Sequence, residues 1–147
     1  MKNKIFLLLI ALNLITQAQE KDWVLTTGKV EVYTGIVAAN GRIGILPEDK
    51  PFQTKSIILN NVYEKESELG VSRIISGMNF ANLDVFIDGE KITEQNVSDW
   101  KQSLNMKTAA FETSFTFKDK AKITYTIYAL RNIQYAGYID INILPLK

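Results

Sequence analysis

The chain has 147 residues, of which 46% are hydrophobic and 22% charged, an ordinary balance for one packed core. Its formal net charge is +1, with no basic block to follow a nucleic-acid backbone. It holds no cysteine and no histidine, which excludes disulfides, thiolate or imidazole metal sites, Cys nucleophiles and any Ser-His-Asp triad.

The N-terminus reads as an address. Lys2 and Lys4 precede an apolar run from Ile5 to Ile15, and Thr16-Gln17-Ala18 offers small residues at both positions that a signal peptidase reads. The run is about half the ~20 residues that a spanning helix needs. Residues 1–18 are therefore expected to be a signal peptide and 19–147 an exported β-domain, periplasmic or extracellular. No later segment is long and apolar enough to span a membrane, so none is expected to engage one after cleavage.

Helical periodicity is scarce along the rest of the chain. Arg42 to Leu46 is a strand candidate stopped by Pro47. Ile57 to Val62 and Arg73 to Ser76 are two more. Val85-Phe86-Ile87, Asp88-Gly89 and Glu90-Lys91-Ile92 form a hairpin signal, because Asp-Gly supplies the positive φ angles of a type I′ turn. Thr93 to Val97 predicts a short helical turn, and Asp99 to Met106 another strand.

The last third carries the clearest pattern. Phe111, Phe115 and Phe117 share one face of a strand, with Glu112, Ser114 and Thr116 on the other. After the polar turn Lys118-Asp119-Lys120, Ala121 to Ala129 alternates in the same way, and so does Tyr138 to Leu144. The expectation is an all-β fold, an antiparallel β-sandwich. Pro145-Leu146-Lys147 follows directly on a long strand, which predicts an open sheet edge and a sandwich that is the first part of a longer domain.

The candidate chemistry is sparse. Asn40-Gly41-Arg42-Ile43-Gly44 fits no phosphate loop and reads as a tight turn entering a strand. Trp23 and Trp100 are candidate sugar-stacking platforms, although the strand around Trp100 also suits a core anchor. The turn carboxylates, Glu48, Asp49, Asp84, Asp88 and Glu90 among them, show no spacing that marks a glycosidase pair. Asp84, Asp88 and Glu90 lack the order of an EF-hand loop. No catalytic residue, metal or cofactor is assigned.

The order of motifs resembles one family. Gly35 to Gly44 is similar to the Asn-Gly-x-x-Gly turn near the start of glycoside hydrolase family 65 enzymes. Ile58-Leu59-Asn60-Asn61-Val62-Tyr63 resembles their next strand. Asp99 to Thr108 resembles their Leu-Asp-Met-Arg strand, with Asn105 where many members have Asp. Thr113 to Phe117 and Ala121 to Arg131 resemble the strands that follow. Arg42 and Asn105 depart from the commoner pattern.

The resemblance implies an N-terminal β-supersandwich of galactose-mutarotase type, incomplete here, ahead of a catalytic α/α barrel. It also implies inverting action on α-linked glucosides of the kojibiose, maltose or trehalose type, by hydrolysis or phosphorolysis. The general acid lies in the barrel, so none is carried onto this chain. Export favours hydrolysis, since a sugar phosphate is useful only where it is retained. The loops at Asn40, Gly41 and Arg42 and at Asn79 and Phe80 are expected to reach the substrate rim or the partner domain. A homodimer fits the same picture. The other reading is a free-standing secreted carbohydrate-binding sandwich.

Overall fold

The computed structural model describes residues 23–28, 36–65 and 67–146. The expected signal peptide lies outside the described residues. Among the described residues eleven strands form: β1 Val24–Thr27, β2 Ala38–Ala39, β3 Ile43–Pro47, β4 Thr54–Glu64, β5 Arg73–Ser76, β6 Phe86–Ile87, β7 Glu90–Lys91, β8 Val97–Asn105, β9 Ala110–Phe117, β10 Ala121–Ala129 and β11 Gly137–Pro145. A five-stranded sheet runs β1-β8-β9-β10-β11, a four-stranded sheet β2-β3-β4-β5, and β6 pairs with β7 alone. All pairings are antiparallel.

The alternation in sequence becomes the packing of the sandwich. In β9, Phe111, Thr113, Phe115 and Phe117 are buried, and in β10 so are Ala121, Ile123, Tyr125, Ile127 and Ala129. Ile43 and Ile45 of β3 and Ile57 of β4 face them from the second sheet. Each fully buried Ile or Phe side chain contributes about 1.5–3 kcal/mol. Phe52, in the β3–β4 connection, stacks on Tyr125 at 4.6 Å and meets Phe115 edge-on at 5.8 Å. It adopts a φ of 56°, uncommon for so bulky a residue, and its amide donates to Tyr125 Oη at 3.1 Å.

The local signals reappear with small shifts. Asp88 and Gly89 both take positive φ, 52° and 77°, as a type I′ turn demands. The helical turn is a single 3-10 turn, Glu94–Asn96, closed by Asn96 Oδ1 accepting the Thr93 amide at 2.8 Å. Pro47 does not stop β3 but closes it, at a register shift against β4. That position suits a residue with no N–H to give the ladder. The two short strands β1 and β2 carry no alternation of their own and form by pairing with β8 and β3.

Candidate functional site

The Asn40 turn is a knot of side-chain amide bonds. Asn40 Oδ1 accepts the amides of Arg42 at 2.8 Å and Ile43 at 2.9 Å, while its Nδ2 donates to the Leu130 carbonyl at 2.6 Å. Gly41 sits at φ +86°. Its carbonyl accepts Asn60 Nδ2 at 2.8 Å, and the Arg42 carbonyl accepts the Asn60 amide at 2.8 Å. Tyr135 Oη then donates to the Asn60 carbonyl at 2.9 Å. Three segments remote in sequence are thus tied at one end of the sandwich: the turn 40–42, the middle of β4 and the β10–β11 connection.

Phe80 joins the same end. A Cβ placed on Gly137 would lie 2.5 Å from the Phe80 ring and 2.8 Å from Ile45, so the ring packs directly on the start of β11. Asn79 points elsewhere. Its Nδ2 donates to the Thr54 carbonyl at 2.8 Å and its Oδ1 accepts the Ala81 amide at 3.1 Å, pinning the segment before Ala81 to the start of β4. The structure therefore brings Asn40, Gly41, Arg42 and Phe80 around one connection and leaves Asn79 one step outside it.

The tryptophans are apart from this end loop cluster and from each other. Trp100 lies on β8, partly buried and packed against the core. Trp23 is 47% exposed beside β1, with its carbonyl accepting the Met106 amide at 2.8 Å. Strand order puts β1 three places from β10.

Sequence reasoning missed Asn60 and Tyr135 as members of the knot. The available signal was the polar pair Asn60-Asn61 inside an otherwise strand-like run. Asn61 takes a φ of 64° there, and the β4–β5 register shifts across it.

The far end of β10 is built from ions. Lys118 Nζ meets Glu90 at 2.6 Å and Lys120 Nζ meets Asp88 at 2.7 Å, clamping the β6–β7 hairpin to the β9–β10 turn. The bond from Lys118, then that from Asn96, holds the Glu90 carboxyl below its usual value. A shallow groove of about 210 Å³ lies between Lys50–Gln53 and Lys91–Gln95. Its Lys91 is paired with Asp84 at 2.6 Å. Among the described residues, no three Asp or Glu side chains are grouped to hold a metal.

The arrangement can thus present rigid loops, amides and guanidinium groups to a neighbour. Residues 34–146 match the glycosyl hydrolase family 65 N-terminal domain. The chain belongs to this family. It is 32% identical over 149 aligned residues to a kojibiose hydrolase of Mucilaginibacter mallensis, which covers 99% of this chain and 22% of that protein. It is 34% identical over 130 residues to a kojibiose hydrolase of Flavobacterium johnsoniae, covering 87% of this chain and 19% of that protein. The chain spans about a fifth of the length of these curated relatives. What family 65 supplies here is an N-terminal, all-β domain.

Proposed function

We propose that this chain is the N-terminal, non-catalytic sandwich portion of an exported, inverting glycoside hydrolase acting on α-linked glucosides of the kojibiose type. Its work is to support a catalytic α/α barrel elsewhere in a longer polypeptide. The observation that carries this reading is the similarity, over 99% and 87% of this chain, to two kojibiose hydrolases of which it spans only about a fifth. The site supports the same division of labour: the Asn40 knot is hydrogen-bonded scaffold, with no facing carboxyl pair of the kind an inverting glycosidase uses. Both relatives are named as hydrolases, and the signal-like N-terminus agrees with hydrolysis outside the cytoplasm.

The test is to express the whole gene product and supply kojibiose, maltose and trehalose. Glucose release from kojibiose without added phosphate is expected. Proton NMR of the first product should show β-glucose, the signature of inversion at an α-linkage. Glucose 1-phosphate formed only with phosphate present would overturn the hydrolase reading. Early α-glucose would overturn inversion. The 147-residue chain by itself should release none. Cell fractionation with N-terminal sequencing should find the mature protein outside the cytoplasm, starting at Gln19.

A further inference from the structure

The outer face of the five-stranded sheet is polar, with an aromatic corner. Alternation puts the residues between the buried ones of β9 and β10 on this face, and the strand registers align them in rows. One row crosses from Ala110 of β9 to Tyr128 of β10 and Tyr138 of β11. The next crosses from Glu112 to Thr126 and Asp140.

Tyr128 and Tyr138 stack at 6.1 Å with 27° between their rings, and Tyr138 is 52% exposed. Ala110, on the other side of Tyr128, rises no higher than a methyl group, so a step is left beside the ring pair. Glu112 and Asp140 are exposed and flank Thr126 one row away. Among the described residues, the side chains of Glu112, Thr126 and Asp140 make no hydrogen bond or ion pair. By contrast Asp84, Asp88 and Glu90 are all held by lysines. The fold makes no use of this row.

The chemistry of the face selects its occupant. A packed helix or a second copy would strip water from the hydroxyl and both carboxylates without replacing it. The two carboxylates disfavour an anionic polymer. A neutral pyranose suits both rows: its C–H face lies on a tyrosine ring, and its hydroxyls donate to the carboxylates. We propose that this face is a secondary saccharide-binding surface for an α-linked glucan chain. One glucose unit rests on the Tyr128–Tyr138 pair, and its neighbour lies along Thr126 between Glu112 and Asp140. Choosing an α-glucan rests on the reading that the longer polypeptide acts on α-linked glucosides, as its relatives' names suggest.

The experiment is hydroxyl-radical footprinting of the whole gene product, read by peptide mass spectrometry, without sugar and with millimolar maltoheptaose or isomaltoheptaose. Tyr138 is expected to oxidise freely without sugar and to be protected by at least one of the two glucans. In Tyr138→Ala, protection at Tyr128 should need at least ~10-fold more sugar, and Tyr138→Phe should restore it. A Tyr138 already shielded before sugar is added would put protein on this face and overturn the proposal. Free oxidation that neither glucan changes would overturn it as well. If that same protein releases glucose from kojibiose, the functional reading stands without the surface. Protection in a protein that releases none would leave the surface standing and remove the hydrolase reading.

Discussion

At Tyr125 a phenol lies buried in the core, its oxygen accepting the Phe52 amide and bonded to Thr113. Burial pushes its pKa above the ordinary 10.0, partly offset by those two bonds. A raised folded pKa means that the stability is complete below the ordinary tyrosine value and falls as pH rises through it. Urea titrations at a series of alkaline pH values should show that fall, and Tyr125→Phe should lose this component of it. At neutral pH the same variant should be about 1–3 kcal/mol less stable, because the Phe52 amide is left buried without its acceptor. Gly137→Ala should cost about 1–3 kcal/mol by overpacking against Phe80 and Ile45. Adding Phe80→Ala should return part of the overpacking cost, a coupling that a double-mutant cycle measures. At this scale the sequence singled out Asn40 and Gly41 as turn residues. It could not show that Asn40 bonds Leu130, 90 residues away, or that Tyr135 bonds Asn60, 75 away.

Among the elements, the β6–β7 hairpin is the most local in origin and the most dependent on ions. Gly89→Ala should cost about 1–2 kcal/mol, since only glycine adopts its φ of 77° without strain. The clamp to the β9–β10 turn should respond to acid. The Glu90 carboxyl is depressed chiefly by Lys118, so its contribution is present above the ordinary value of 4.5 and is lost as pH falls through the lower, folded one. Amide exchange across residues 86–91 should speed up on acidification relative to the β9–β10 core, after correction for intrinsic rates. Glu90→Gln should remove most of that pH dependence. The strands themselves were legible in proportion to their alternation. β10 runs over the residues its pattern marks, and β9 and β11 differ by a residue at their ends. β1 and β2 were not legible, because four and two residues carry too little pattern and owe their conformation to β8 and β3.

For the whole molecule, the facing surfaces of two sheets set the stability. Phe115→Ala, at the junction of β9 with Phe52 and Tyr125, should cost about 3–5 kcal/mol by opening a cavity. Differential scanning calorimetry would read it. The end that carries the Asn40 knot also carries Arg42 and, beside Leu130, the exposed Arg131. If that end meets the barrel, Arg42→Ala combined with Arg131→Ala should leave the stability of this chain within about 0.5 kcal/mol. In the longer polypeptide proposed above, the same pair should uncouple the transition of the sandwich from that of the proposed barrel in a thermal scan. A single unchanged transition would remove this end from the docking surface.

Local physics explains what the sequence determined by itself. Alternation with period two made the chain all-β, Asp-Gly set a hairpin, and the order of short motifs led to family 65. Each of those signals is complete within a few neighbouring residues. The tertiary structure alone decided that Asn60 and Tyr135 complete the Asn40 knot, that Phe80 closes on Gly137 while Asn79 turns to Thr54, and that Trp100 packs inward while Trp23 stays exposed. It also decided which isoleucines remain uncovered. Ile123 and Ile143 look alike in sequence, and only the reach of the second sheet makes one core and the other edge.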